Sequence, residues 1–194
     1  SLGETATAAH TIANTVESAF YIPGYGMQTA AATLAGNALG ANDNKKLNSL
    51  AKAIVPLEVG LMVISGSLLF IFAPILIRLF SSDAQVIRLG STVLRMVAVS
   101  EPFYGVPIVI EGMMQGVGKT VTPFIFNVAG MWGGRILGTF ICIHRLGLGL
   151  VSARGCMIGH NMLLFVLFTL HYFSGRWNPM NKTKVSFQYK ICKK

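Results

Sequence analysis

An all-α, polytopic membrane helix bundle is predicted by three features of this sequence: its apolar composition, its division into long apolar spans joined by short polar turns, and glycines that recur four residues apart within those spans. Hydrophobic residues make up 53% of the chain and charged residues only 12%, with a mean hydropathy of +0.59, so water would not hold it as a monomer. A membrane helix needs ~20 mostly apolar residues, and five segments meet that length: roughly 8–41, 53–80, 84–117, 120–144 and 152–175. Several exceed the minimum and must tilt, kink or protrude. The first lacks a basic leading region and is too long for a secretory leader. The chain begins at Ser1 rather than Met, so a preceding N-terminal part is expected. Residues 1–177 are expected to form a partial transmembrane lobe and 178–194 a polar, basic, flexible cytoplasmic tail.

The first span ends in GYGMQTAAATLAGNALGAND, crowded with Gly, Ala and Thr, and carries Gly36 and Gly40. In a membrane no hydrophobic force drives helices together, and they associate where small residues let backbones approach. The same spacing recurs at Gly112/Gly116, Gly130/Gly134, Gly134/Gly138 and Gly155/Gly159. One such pair is weak evidence; repetition in four segments predicts a multi-helix bundle.

Basic residues set the orientation. Lys45, Lys46 and Lys52 flank the first turn, Lys119 sits in the third, and Arg176, Lys182, Lys184, Lys190, Lys193 and Lys194 lie in the tail. The opposite side holds Arg78, Arg88, Arg145 and Arg154. The richer side is expected to be cytoplasmic, which places the C-terminus inside the cell and the visible N-terminus outside. A net charge of +9 then needs no nucleic acid, because no basic stripe is interleaved with aromatics and a basic tail suits anionic lipid.

Three signals are discounted. Cys142, Cys156 and Cys192 are widely spaced, and His10, His144, His160 and His171 are scattered, so neither a metal site nor a disulfide framework is indicated. The stretch QGVGKT from Gln115 to Thr120 resembles a nucleotide-binding loop, yet the required earlier glycine is replaced by Met113. It reads as a tight cytoplasmic turn permitted by Gly116 and Gly118. No nucleophile and base are paired in the sequence, so an enzyme is not expected.

The chemistry lies in the acids. Of seven carboxylates, Glu17, Glu101 and Glu111 sit within or near apolar spans, and Glu58 follows Pro56. A carboxylate at bilayer depth is costly enough that it usually faces a cavity, a partner or a proton or ion pathway. Glu101 and Glu111 are ten residues apart, ~15 Å of helical rise and about 80° around the axis. Pro102 and Pro107 between them predict a kink that frees carbonyls able to hold a cation. The bland alternative is that Glu101 pairs with Arg95 or Arg135. Glu101, Glu111 and Glu17 are the ion-coupling candidates. Asn14, Tyr21, Gln28, Phe103, Tyr104, Gln115, Asn127 and Trp132 would suit a cavity for bulky cations by stacking and hydrogen bonding, although such residues also serve as packing or interface anchors.

The stretches YIPGYGMQTAAATLAGNALGAND (Tyr21 to Asp43), VAVSEPFYGVPIVIEGMMQGVGKTVTPF (Val97 to Phe124) and GMWGGRI (Gly130 to Ile136) resemble, in their order and spacing, the second half of a multidrug and toxic compound extrusion (MATE) transporter. The likeness runs over about 10–150 and loosens beyond Gly155. It implies a twelve-helix transporter of two pseudo-symmetric six-helix lobes, in which the five spans are helices eight to twelve and Glu101 and Glu111 fall on the tenth. It also implies export of organic, often cationic drugs and other xenobiotics by alternating access, as an antiporter exchanging them for sodium or protons and needing no other cofactor. The first lobe and the seventh helix are absent, so this fragment alone is not expected to transport. The alternatives are a lipid-linked oligosaccharide flippase of the same superfamily and a non-transporting membrane module that docks a partner through its glycine faces.

Overall fold

In the computed structural model the chain is a helix bundle described over residues 4–144 and 150–181. Arg145, Cys192, the tail from Lys182 onward, and the side chains of Cys142 and His144 lie outside the described residues. In order come α1 (Glu4–Gly40), α2 (Asn44–Arg78), α3 (Ala84–Gly116), α4 (Val121–Ala129), a π-helical segment (Gly130–Ile136), α5 (Leu137–His144) and α6 (Leu150–Phe173). From α4 to α5 the helix is continuous.

Among the described residues four segments are long and apolar enough to cross a membrane: Asn44–Arg78, Ala84–Gly116, Val121–Ile141 and Arg154–Phe173. At 37 residues α1 has the length, but its Thr, Asn, Gln and Gly content lowers its hydropathy. The second helix starts well before the expected 53, because Asp43 caps it by accepting a hydrogen bond from the Lys46 amide at 2.9 Å. Lys45, Lys46 and Lys52 are therefore exposed residues of the helix itself.

Helix ends follow local chemistry. Asn42 adopts a left-handed conformation (φ 52°) after α1, and the Asp43 amide reaches back to the Ala38 carbonyl at 3.0 Å. Gly118 does the same after α3 (φ 76°), with the Lys119 amide bonded to the Met114 carbonyl at 2.8 Å. The turn thus needs Gly118, whereas Gly116 is the last residue of α3 and serves packing.

The side-chain pattern is that of a bundle in lipid. On α2, Leu47, Ala51, Ile54, Glu58, Met62, Ser65, Leu69, Ala73 and Ile77 form the inward stripe at steps of three and four, while Ile64, Leu68, Ile71 and Ile75 face outward. The central helix is α3, which packs against α1, α2 and α6. Its contact with α1 is backbone to backbone. A Cβ at Gly116 would collide with the Ala32 carbonyl, one at Gly112 with the Gln28 carbonyl, and one at Gly36 would lie 3.1 Å from the Gly116 oxygen. At a second contact Gly130 and Gly134 receive His160 of α6. Gly40, Gly155 and Gly159 have no neighbour within 4 Å of a Cβ position.

One end of the bundle gathers the α1–α2 turn, the α3–α4 turn and the segment after α6. Asn178 donates to Asn44 at 2.8 Å and Asn48 at 3.2 Å, and Lys119 donates to the Arg176 carbonyl. Trp177, 3% exposed, stacks on Tyr172 at 5.7 Å. Packing therefore continues past the expected boundary at 177, because Asn178 and Asn181 find amide partners on α2.

Replacing Gly116 by Ala should destabilise the chain by on the order of 2 kcal/mol through overpacking, while Gly40→Ala should lie within about 0.5 kcal/mol of the parent. Thermal unfolding in detergent checks both; equal effects would mean that α1 and α3 are not in backbone contact.

Candidate functional site

The core between α1, α2 and α3 contains three buried carboxylates, held in two different ways. Glu17 on α1 is paired: its Oε2 lies 2.7 Å from Arg154 Nη1, and both side chains are 2% exposed. Its Oε1 accepts a hydrogen bond from the Tyr21 hydroxyl at 2.8 Å, one turn along the same helix. The Arg154 Nη2 lies 3.2 Å from His10 Nδ1. A guanidinium only donates, so this contact requires a neutral imidazole with its proton on Nε2. Arg154 thus bridges α6 to α1 through the interior.

Arg154 is therefore not a flanking loop charge. Its sequence setting, one basic residue ahead of a run of apolar ones, is that of any span terminus, so nothing in the pattern distinguishes a buried arginine there. Glu17 and Arg154 are far apart in the chain, and only the fold joins them.

Glu101 on α3 and Glu58 on α2 are both fully buried at 0% exposure, and among the described residues neither carboxyl accepts or donates a hydrogen bond. Neither expected arginine reaches Glu101. Arg95 instead lies over the Phe70 ring at 5.4 Å and donates from Nε to the Phe70 carbonyl at 3.4 Å, while Arg135 is exposed on the π-helical segment. The hydroxyl of Ser65, on the facing side of α2, donates to the Phe20 carbonyl at 3.3 Å. Glu58 lies in a hollow made by missing side chains: a Cβ at Gly24 would sit 3.1 Å from its Oε1, and one at Gly105 would sit 3.2 Å from it. Sequence reasoning noted Glu58 but did not place it among the site residues. The available signal was an acid inside an otherwise strongly apolar span.

Glu111 is half-buried and bonded: Oε1 accepts from Gln115 Nε2 at 3.0 Å and Oε2 from Asn127 Nδ2 at 3.1 Å, which ties α3 to α4. Glu111, Gln115 and Asn127 are thereby brought together. Tyr21 and Tyr104 also meet, with ring centroids 4.8 Å apart, and Phe103 packs edge-on against Phe165 of α6 at 5.4 Å. Gln28 packs on Gly112, whereas Asn14 is exposed and Trp132, 63% exposed, stands outward on the π-helical segment. A hollow of about 310 Å³ between α2 and α3 is bounded by residues such as Val63, Gly66, Phe70, Ala98 and Pro102. Among the described residues no three His, Cys, Asp or Glu side chains are grouped to hold a metal ion.

An apolar bundle with carboxylates and an arginine sealed in its interior defines a multi-pass membrane protein. The chain belongs to the MatE family, whose model matches residues 1–141. It is 28% identical over 175 residues to a probable multidrug resistance protein NorM of Thermotoga maritima, covering 90% of this chain and 38% of that protein. A NorM of Brucella suis is 29% identical over 178 residues, with 88% and 37% covered. Among solved structures, a MATE protein in the bent conformation superposes with a TM-score of 0.84 at 21% identity, over 94% of this chain and 40% of that one. A MOP superfamily transporter from Pyrococcus furiosus, described as having a binding pocket of reverse polarity that suggests a different function, superposes at 0.81 and 23% identity, over 92% and 40%. The chain spans about two fifths of the length of the relatives it matches.

Arg154→Met should cost about 3–5 kcal/mol, because it leaves Glu17 uncompensated in the core. Combining Arg154→Met with Glu17→Gln should recover most of that loss. Detergent melting curves of the two single variants and the double variant test this as a cycle, and additive losses would show that the pair is not coupled.

Proposed function

We propose that this chain is the C-terminal lobe, helices eight to twelve, of a multidrug exporter that drives organic, often cationic compounds out of the cell in exchange for sodium or protons. In this reading the lobe works with an N-terminal lobe of the same transporter. The two rock about a shared cleft in the plasma (inner) membrane, with the C-terminus cytoplasmic. The observation that carries the reading is Glu101: a carboxyl with no exposure and no described partner, followed at once by Pro102 in the middle of α3. A permanently ionised acid would be intolerable there, so the group is stable only when it holds a proton or a cation. That is the behaviour a coupling site requires. Glu111, with its amide partners Gln115 and Asn127, supplies a second, half-exposed carboxyl on the same helix.

The family match supports a transporter, and the relatives' multidrug resistance names support the substrate class. Orientation is supported by one end of the bundle, where Lys45, Lys46, Lys119 and Arg176 gather. Glu101→Gln in the complete exporter should lower gradient-driven efflux of a cationic dye about tenfold or more, with the protein still present in the membrane. Unimpaired efflux by this variant would remove Glu101 from the coupling role, and a membrane module that only docks a partner would be indifferent to the change.

A further inference from the structure

Glu58 has no place in the scheme above, yet its position is distinctive. Pairings across the core set its height in the bundle. Tyr21 meets Tyr104, Gln28 meets Gly112 and Ala32 meets Gly116, so α1 and α3 run side by side in the same direction. Running the other way, α2 brings Gly66 against Ala98 and Glu101, and Glu58 against Gly24 and Gly105. Gly105 lies one turn beyond Glu101, ~6 Å further along the axis, and Glu111 lies ~9 Å beyond Gly105. The carboxyl of Glu58 therefore stands between the heights of Glu101 and Glu111.

We propose that Glu58 is a proton-carrying station that links the levels of Glu101 and Glu111 through the interior of this lobe. It rests on the coupling role given to the lobe under Proposed function and names a residue and an ion for it. The ion is a proton because of what surrounds the group. A bound metal cation would need several oxygen ligands, whereas among the described residues no hydrogen-bonding group meets either Glu58 oxygen, and Gly24 and Gly105 face it without side chains. A neutral carboxylic acid needs none of those ligands. The titratable groups facing this core are Glu17 and Tyr21 from α1 and Glu101 and Tyr104 from α3, and none of them bonds to Glu58. Glu17 is occupied by Arg154 and Tyr21 by Glu17, and Tyr104 as a phenol is a far weaker acid than a carboxyl, which leaves Glu101 as the exchange partner.

The step balances as a plain proton transfer. The O–H bond of the Glu101 acid breaks as an O–H bond forms on the Glu58 carboxylate, with the negative charge moving the opposite way. Gly24 and Gly105 matter because a Cβ at either position would collide with the Met62 side chain and crowd Glu58 Oε1, at 3.1 Å and 3.2 Å.

The test is pH-titrated infrared difference spectroscopy of the complete exporter in lipid vesicles, with Glu58→Gln and the apolar Glu58→Met as variants, alongside proton-driven export and substrate counterflow. The parent should show a carboxylic acid carbonyl band that bleaches as pH rises, and both variants should lose one acid's share of it. Proton-driven export should fall about tenfold or more in both, while counterflow, which needs no net proton movement, should persist. An unchanged band, undiminished export, or equal loss of counterflow would each overturn the proposal. An intact Glu101→Gln exporter would instead sink the coupling reading of Glu101, and it is distinguishable because the infrared difference belongs to Glu58 alone.

Discussion

Backbone contact between α1 and α3 is the constraint on which the rest of this lobe depends. At Gly112 and Gly116 the absence of a side chain lets α3 lie directly against the Gln28 and Ala32 carbonyls of α1. In lipid, where apolar side chains gain nothing by leaving their surroundings, such contact is a main source of helix association. It also decides where water cannot go. With α2 closing the third side, the space between the helices is filled by Ala31, Ala35, Val109, Ile110 and Met113 towards one end and by Ala9, Ala13, Leu69 and Leu94 towards the other. Glu58 and Glu101 are sealed in the same interior.

A dry interior gives an acid few choices, and this lobe uses three. Glu17 takes a counter-charge, and Arg154 from α6 reaches in to supply it, with Tyr21 and His10 satisfying further polar atoms. Glu111, nearer the end of α3, is only half-buried and takes amide hydrogen bonds from Gln115 and Asn127. Glu58 and Glu101 take neither. The first arrangement joins two distant helices and is structural in its effect. The last is the most costly way to bury an acid, because no partner compensates the water it has lost.

The α4–α5 span meets the rest differently. Its π-helical turn presents Gly130 and Gly134 to His160 of α6, while Met131 and Trp132 face outward. Segments of π-helix occur often at functional sites, and here one carries both the glycine contact with α6 and the exposed Arg135. Between its basic ends, α2 turns mainly aliphatic and aromatic side chains outward, among them Ile64, Leu68, Phe70, Ile71 and Ile75, as a helix facing lipid does.

Much of the fold was legible in the sequence because span length and hydropathy follow from bilayer thickness, and small residues four apart mark a helix face whatever its partner. The acids of α3 and the amides near Glu111 were legible as residue types. Their arrangement was not: Arg154 read as a loop charge and Glu58 as a minor acid. What composition and periodicity determined by themselves was the class of solvent, the helices and the existence of costly buried charge, because those depend on local chemistry alone. Which acid meets an arginine, which amides reach Glu111, and which carboxyls stand without a described partner were decided by tertiary structure. Those outcomes turn on the relative height and rotation of helices, and in a bundle these are set by backbone contacts between residues far apart in the chain.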